Sequence, residues 1–372
     1  MTMTTKPIGL YVHVPFCERR CSYCDFCSYA VSSLDSSVRE RYFDALVDEI
    51  LSYKREEPIA VDTVFFGGGT PSLLTVNEAE KIFAAIEKSF RVLPHAEITL
   101  EANPGTVTEE KLLAYKRLGV NRLSIGLQSI HENELKKLGR IHNFEEFLEG
   151  YRLAREIGYN NIGIDLMYGI PEQTSESLRE TLDTVASLSP EHISAYGLIV
   201  EEGTQFFRER DTLMLPDEDT ECDMYELTVS RLGELGYSHY EISNYAKEGR
   251  ESRHNLHYWR AEEYIGVGVS SHSYFGGERY SNTDSIYEYS TGAAREVEAC
   301  DVELEYAMLR LRLAEGFSLD GYERRFFHSF TEGREEKLRH LERLGYLRRE
   351  GGRVALTDRG MYVSNAILSD LL

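Results

Sequence analysis

Apolar residues gather in six short runs over the first two hundred positions, at 8–14, 61–66, 97–101, 122–128, 161–167 and 192–200, each followed by a stretch whose apolar spacing is helical. Between the first two runs, Val38, Tyr42, Leu46 and Ile50 fall four apart and make one stripe, with Asp35 and Ser36 placed to cap the helix that carries it. The later partners read the same way and predict helices over 76–90, 108–118, 144–157, 175–188 and 217–235. Strands that alternate with helices imply a parallel sheet with helices outside, left open or curled into a barrel. The chain shows no internal repeat and no low-complexity segment.

Such sheets collect their ligand contacts at the C-terminal strand ends. Here those ends are polar or glycine-rich six times in succession. The first run ends in His13 and a cysteine-rich loop, the second in Gly67-Gly68-Gly69-Thr70-Pro71-Ser72, the third in Glu101-Ala102-Asn103-Pro104 and the fourth in Gly126-Leu127-Gln128-Ser129. The fifth carries Asp165 ahead of Tyr168-Gly169-Ile170-Pro171, and the sixth carries Tyr196. Structural polar residues scattered along a chain do not fall in phase with every strand end. The glycine run lacks the following Lys-Ser or Lys-Thr of a P-loop. Glycines directly after a buried strand let the backbone approach a ligand, and exposed N–H and C=O groups there suit the amino and carboxylate groups of an amino acid better than a phosphate.

Cys17, Cys21 and Cys24 lie within eight residues, where one loop can wrap a single metal centre. A [4Fe-4S] cube normally takes four thiolates, so a three-thiolate set leaves one iron open to a small chelating molecule. Zinc is the alternative: it needs four closed ligands, and Cys27 or His13 is placed to be the fourth. Spacing alone leaves both open. Cys222 and Cys300 are isolated and read as ordinary small side chains.

A chain of 372 residues with 42% apolar content is expected to form one large globular domain, or a large domain with a smaller partner. Its formal net charge of -22 disfavours nucleic acid, which wants a basic face. The N-terminus lacks a basic segment, a long apolar segment and a cleavage site, and no apolar run is long enough to span a bilayer. The expected location is the cytoplasm, where clustered thiols bind metal rather than forming disulfides.

Past about residue 300 the pattern changes to helices over 302–313, 319–327 and 335–344, then a hairpin of 347–349 and 353–356 around Gly351-Gly352. That order resembles a winged helix. With 13 acidic and 12 basic residues from Asp301 onward the segment is near neutral, and Arg348, Arg349 and Arg353 on the hairpin give only weak support to a nucleic-acid-binding rival. The expected division is a barrel over 1–235, a barrel extension over 236–300, and a mostly helical, winged-helix-like domain over 301–372.

Taken together, the Cys-x3-Cys-x2-Cys loop, Gly-Gly-Gly-Thr-Pro, Glu-Ala-Asn-Pro, Ser-Ile-Gly-Leu-Gln-Ser and Ile-Asp-Leu-Met-Tyr-Gly-Ile-Pro resemble the radical S-adenosylmethionine proteins. More narrowly, the chain is similar to the coproporphyrinogen dehydrogenase family (oxygen-independent coproporphyrinogen III oxidase) over nearly its whole length. The resemblance implies an incomplete (β/α)6 barrel and a [4Fe-4S] cluster on Cys17, Cys21 and Cys24, with S-adenosylmethionine chelating the open iron. It also implies that Tyr11 and Phe26 flank the cluster and the adenosyl group, that Gly68, Gly69 and Thr70 take the methionine end, and that Glu101, Gln128, Arg140 and Asp165 complete the pocket.

Within that family, the oxidase branch carries a further cysteine two residues after the third (Cys-x-Cys), where this chain has Phe26, and several dozen residues ahead of the first strand. Both departures imply the heme chaperone branch, which binds heme and passes it to hemoproteins. Coproporphyrinogen dehydrogenase activity is then not expected, and decarboxylation of porphyrinogen propionates is the alternative. The segment Arg253-His254-Asn255-Leu256-His257-Tyr258-Trp259 matches the His-Asn-x-x-Tyr-Trp motif of the chaperone branch and makes His254 the candidate heme ligand. Recipient hemoproteins are the implied partners, with no nucleic acid and no membrane-spanning segment; peripheral membrane association and homodimerisation stay open.

Overall fold

The computed structural model describes residues 6–372. The six predicted strands form in the predicted order: β1 (Ile8–Val14), then, after the short β2 (Phe16–Cys17) and β3 (Tyr29–Ala30), β4 (Ile59–Gly68), β5 (Phe90–Ala102), β6 (Arg122–Gln128), β7 (Ile162–Tyr168) and β8 (His192–Gly197). They lie side by side as β1-β4-β5-β6-β7-β8, every neighbouring pair parallel. Between and after them run α1 (Ser36–Ser52), α2 (Val76–Ser89), α3 (Glu109–Arg117), the short α4 (Glu132–Lys137), α5 (Phe144–Ile157), α6 (Ser175–Ser187), α7 (Gln205–Glu209) and α8 (Glu218–Glu234). Asp35 caps α1 by accepting from the Ser37 N–H, and the stripe of Val38, Tyr42, Leu46 and Ile50 is buried. β5 begins at Phe90 rather than residue 97. Its first residues pair with the start of β4 before a register slip, and Arg91, Pro94 and His95 are exposed there, so no apolar alternation marks them.

Successive residues of a strand face opposite sides, and this decides what the barrel contains. In β1, Leu10, Val12 and Val14 pack outward in the main core, whereas Gly9, Tyr11 and His13 turn into the space around which the sheet curls. Polar residues line that inner face: Thr63 of β4, Thr99 and Glu101 of β5, Arg122 and Ser124 of β6, Asp165 of β7, and His192 and Ser194 of β8.

The sheet extends further than the six runs. Beyond β8 lie β9 (Ser238–Glu241) and β10 (Asn244–Ala246), both antiparallel additions; on the other flank β11 (Tyr264–Val267) joins β1 in parallel, followed by β12 (His272–Phe275), β13 (Glu278–Ser281) and β14 (Glu296–Glu298). The resulting twelve-stranded sheet is open, with β14 and β9 as its two edges, so the barrel is incomplete. Strands of three or four residues are too short to show a period of two. Helix α9 (Arg253–Trp259), capped by Ser252, covers the N-terminal ends of β1, β4 and β5, and α10 (Ile286–Tyr289) packs on α1.

One continuous core runs from Ile8 to Tyr289. A second core, built on Phe317, Tyr322, Phe330, Leu338, Val354 and Leu368, holds α11 (Val302–Arg310), β15 (Phe317–Ser318), α12 (Leu319–Phe326), α13 (Glu335–Arg343), β16 (Leu347–Glu350), β17 (Arg353–Leu356), α14 (Asp358–Tyr362) and α15 (Ser364–Leu371). Both hairpin glycines, Gly351 and Gly352, have positive φ, as a two-residue turn of this hand requires. The hairpin arginines are engaged within the chain: Arg349 pairs with Glu335 and Glu342, Arg348 donates to the Ala314 carbonyl, and Arg353 donates to the carbonyls of Glu315 and Gly316. Of the three, only Arg349 has its charge balanced by carboxylates. No helix among the described residues is long and apolar enough to cross a membrane.

Candidate functional site

A cavity of about 470 Å³ opens at the C-terminal ends of the barrel strands, and Cys17, Cys21 and Cys24 form one wall of it. The loop that carries them is pinned at several points. His13 donates from Nε2 to the Cys27 carbonyl at 2.8 Å and accepts at Nδ1 from the Tyr11 hydroxyl at 3.0 Å; burial lowers its pKa to about 4, so the ring is neutral. The Ser22 N–H donates to the Leu138 carbonyl and the Ser22 carbonyl accepts from Phe206, both at 3.0 Å, which holds the loop between the α4 turn and α7.

Each of the three sulfurs meets a donor. The Thr70 hydroxyl lies 3.5 Å from Cys17 Sγ, Arg140 Nη1 lies 3.4 Å from Cys21 Sγ, and the Phe26 N–H points at Cys24. Donors around sulfur suit metal-bound thiolates. Without a metal, burial pushes the Cys24 thiol up to about 11, which excludes it as a free nucleophile at neutral pH.

The two candidate fourth zinc ligands are engaged elsewhere. Both ring nitrogens of His13 are occupied, and the Cys27 thiol donates to the Asp284 carbonyl at 3.5 Å, outside the cavity lining. Among the described residues no three His, Cys, Asp or Glu side chains converge on a single ion position.

The glycine run lines the cavity and also has a packing role. A Cβ on Gly68, whose φ is +113°, would stand 2.6 Å from the His13 ring, and one on Gly69 would stand 2.8 Å from the Phe16 carbonyl oxygen. These glycines let the strand end nest against β1 and β2, where Gly69 and Thr70 donate to the carbonyls of Val14 and Phe16 at 2.8 Å.

Across the cavity, Arg140 is a wall residue rather than a solvated one. Its Nη2 donates at 2.7 Å to both Asn103 Oδ1 and the Gly126 carbonyl. Asn103 in turn donates to the Thr70 hydroxyl at 2.9 Å, so it links the glycine strand end to Arg140. Its place in Glu-Ala-Asn-Pro at a strand end was the signal available in sequence. Gln128 sits at φ +68° beside a register shift in β6, and its Oε1 has no partner among the described residues. Glu101 accepts from the Gly68 N–H at 3.3 Å; burial and then the Asp165 charge push it up to about 8. Asp165 is raised by burial, while Ser194 and Ser124 donate to it, the latter at 3.1 and 3.2 Å.

The radical SAM superfamily profile matches residues 11–185, and the profile of the HemN C-terminal domain matches residues 301–363. The heme chaperone HemW of Bacillus subtilis is 35% identical over 97% of this chain and 98% of its own length. The HemW of Lactococcus lactis is 33% identical over 100% of this chain and 98% of its own. The chain belongs to the HemW family of radical SAM proteins. The HemW of Escherichia coli is likewise 38% identical over 83% of each chain. The coproporphyrinogen III oxidase HemN of Escherichia coli, a radical SAM enzyme, superimposes with a TM-score of 0.82 at 24% identity, covering 98% of this chain and 89% of HemN, and so shares the fold. Membership of the radical SAM superfamily implies a [4Fe-4S] cluster and S-adenosylmethionine.

Within this HemW-family chain, the structure brings Cys17, Cys21, Cys24, Phe26, Gly68, Gly69, Thr70, Glu101, Gln128, Arg140 and Asp165 to one cavity. Two of the expected site residues lie elsewhere. Strand alternation turns Tyr11 into the barrel below the cavity, where it stacks on Phe65 and His254 instead of flanking the cluster loop's open side. His254 is buried on the barrel floor, with Nδ1 2.8 Å from the Thr63 hydroxyl and Nε2 2.7 Å from the Tyr258 hydroxyl, so neither nitrogen is free for heme iron. The motif residue is there because α9 docks its polar face into the barrel end, its N–H meeting Glu97. The orphaned Gln128 oxygen and the donor-ringed sulfurs fit a polar amino-acid-like ligand beside a thiolate-bound cluster.

Proposed function

We propose that this protein is a heme chaperone that holds a [4Fe-4S] cluster on Cys17, Cys21 and Cys24, binds S-adenosylmethionine along the strand-end rim, and hands heme to recipient hemoproteins. The observation that carries the reading is the meeting of three thiols and the acid, amide and glycine strand ends in one cavity, in a chain matched end to end by heme chaperones. When bound, the cluster supplies an open iron and a single electron. The chain does the rest: the Gly68–Thr70 backbone meets the methionyl end, Gln128 Oε1 accepts from the nucleoside, Asp165 and Glu101 meet the ammonium or hydroxyl groups, and Arg140 braces Asn103 and the cysteine loop.

Heme offers a flat apolar ring and two carboxylates. At the cavity mouth Phe26 is 70% and Ile199 66% exposed, beside Arg19 and Arg20, and this reading seats heme over that mouth rather than on His254. Residues 301–372 cap the barrel, with the Ala314 N–H on the Tyr240 carbonyl.

The decisive experiment pairs a heme titration of the cluster-loaded protein with an anaerobic coproporphyrinogen assay containing S-adenosylmethionine and a reductant. The reading expects about one heme per chain and no decarboxylated product. Robust turnover without specific heme binding would move the chain to the oxidase reading.

A further inference from the structure

Five of the six strand ends have roles in the reading above; the sixth, which carries Tyr196 of β8, has none. Strand parity sets the direction of this side chain. Ile193 and Ala195 pack outward in the main core, so His192, Ser194 and Tyr196 share the inner face. His192 and Ser194 are buried, whereas Tyr196, at the top of the strand, is 41% exposed and lines the cavity together with Phe26 and Ile199.

Heme seated over this mouth carries its iron at the middle of the ring, away from the rim residues that hold its edges. An axial ligand therefore has to come from the lining itself. The side chains that ligate heme iron are His, Cys, Met and Tyr. No histidine lines the cavity among the described residues, and Cys17, Cys21 and Cys24 are committed to the cluster. Met167 is buried in a small satellite core with Leu138, Ile170 and Phe206, and Tyr23 packs against the same group. Of the iron-ligating types in the lining, Tyr196 is the one left facing the open mouth.

We propose that Tyr196 is the axial ligand of heme at the cavity mouth, and that the form of heme this site selects is the ferric one. The inference rests on the reading that seats heme over this mouth. Partial burial, and then the Asp165 charge, raise the phenol above its ordinary pKa, so it keeps its proton in the free protein. On binding, the O–H bond breaks, the proton passes to solvent, the iron gives up a water and an Fe–O bond forms; no electron moves. A phenolate oxygen is a hard, anionic donor, which suits iron(III) and holds iron(II) poorly. Ferrous heme is thus the more weakly held form.

The test titrates the cluster-loaded full chain with hemin and, under dithionite, with ferrous heme, and records resonance Raman spectra of the ferric complex. Wild type should show phenolate modes and hold ferric heme about tenfold more tightly than ferrous. Tyr196→Phe keeps the ring and loses the oxygen: the phenolate modes should vanish, ferric affinity should fall about tenfold, and the preference for ferric heme should disappear. Dithionite acts on the cluster of both proteins alike, so their comparison isolates the ligand. Tyr196→His should hold heme with an imidazole-ligated spectrum in place of the phenolate one. Phenolate modes that persist in Tyr196→Phe, or a ferric preference that the substitution leaves intact, overturn the inference. Should Tyr196→Phe fail to fold, Tyr196→His decides: an imidazole spectrum supports the inference, and a spectrum identical to wild type overturns it. A wild-type chain that binds no heme sinks the reading that seats heme at the mouth, whereas one that binds heme without phenolate modes sinks this inference alone.

Discussion

Arg140 Nη1 lies 3.4 Å from the Cys21 sulfur, which joins the turn after α4 to the cysteine loop across the mouth of the barrel. The same guanidinium reaches Asn103 and the Gly126 carbonyl, and Gly126 has no side chain at the point where a Cβ would come within 3.2 Å of Arg140 Nη2. Three strand ends are therefore tied through one planar fork, a geometry that a lysine ammonium cannot reproduce.

Arg140→Lys should consequently keep the charge and lose the bracing. Reconstituted Arg140→Lys is expected to hold less iron and sulfide than wild type after gel filtration, with a cluster that bleaches faster in air. Equal loading and equal lifetime would show that the fork is dispensable.

Cluster content also separates the cysteines. Single alanine variants of Cys17, Cys21 and Cys24 should lose the visible thiolate-to-iron absorption, whereas Cys27→Ala, whose thiol turns to Asp284, should retain about four irons per chain. Stoichiometric zinc without labile sulfide in the wild type would contradict the cluster assignment.

Gly68→Val tests the nested strand end. The substituted residue meets a strained φ of +113° and a contact of 2.6 Å with the His13 ring. Strain and overpacking each cost about 1–3 kcal/mol, so thermal denaturation should show a large drop in midpoint even before any ligand is added. A variant as stable as wild type but defective in ligand binding would restore the simpler view that Gly68 only makes room for a ligand.

The strand positions, helix stripes and rim residues were legible in sequence because burial on both faces, helical spacing and strand-end polarity leave strong local patterns. Asp35 and the Val38 to Ile50 stripe show this well. Tyr11 and His254 lie off the cavity lining for one shared reason. Motif likeness carries chemistry to a position, but whether a side chain faces the cavity, the barrel interior or the floor depends on strand parity and on how α9 docks. The strands β9 to β14 were missed because elements of three or four residues carry no period.

Glu101 makes stability depend on pH. Its pKa of about 8 in the fold exceeds the ordinary value of 4.5, so the native state keeps a proton that the unfolded chain releases. Between those values the contribution falls as pH rises, and the loss is complete above about 8. Glu101→Gln, permanently neutral, should therefore gain thermal stability relative to wild type on going from pH 5 to pH 8. A constant difference between the two proteins across that window would mean that Glu101 titrates normally.

His254→Ala separates a floor residue from a heme ligand. Removing the ring leaves the Thr63 and Tyr258 hydroxyls unpaired and opens a hole beside Tyr11 and Phe65, at a cost on the order of 2–4 kcal/mol. The expected result is a lower thermal midpoint with the heme spectrum and stoichiometry of the folded protein unchanged. Phe26→Ser combined with Ile199→Ser should do the opposite, weakening heme binding while leaving stability near wild type, because both side chains are largely exposed. A His254→Ala protein that folds normally and loses its axial imidazole signature would return the iron to His254, and would require α9 to swing that ring out of the barrel when heme arrives.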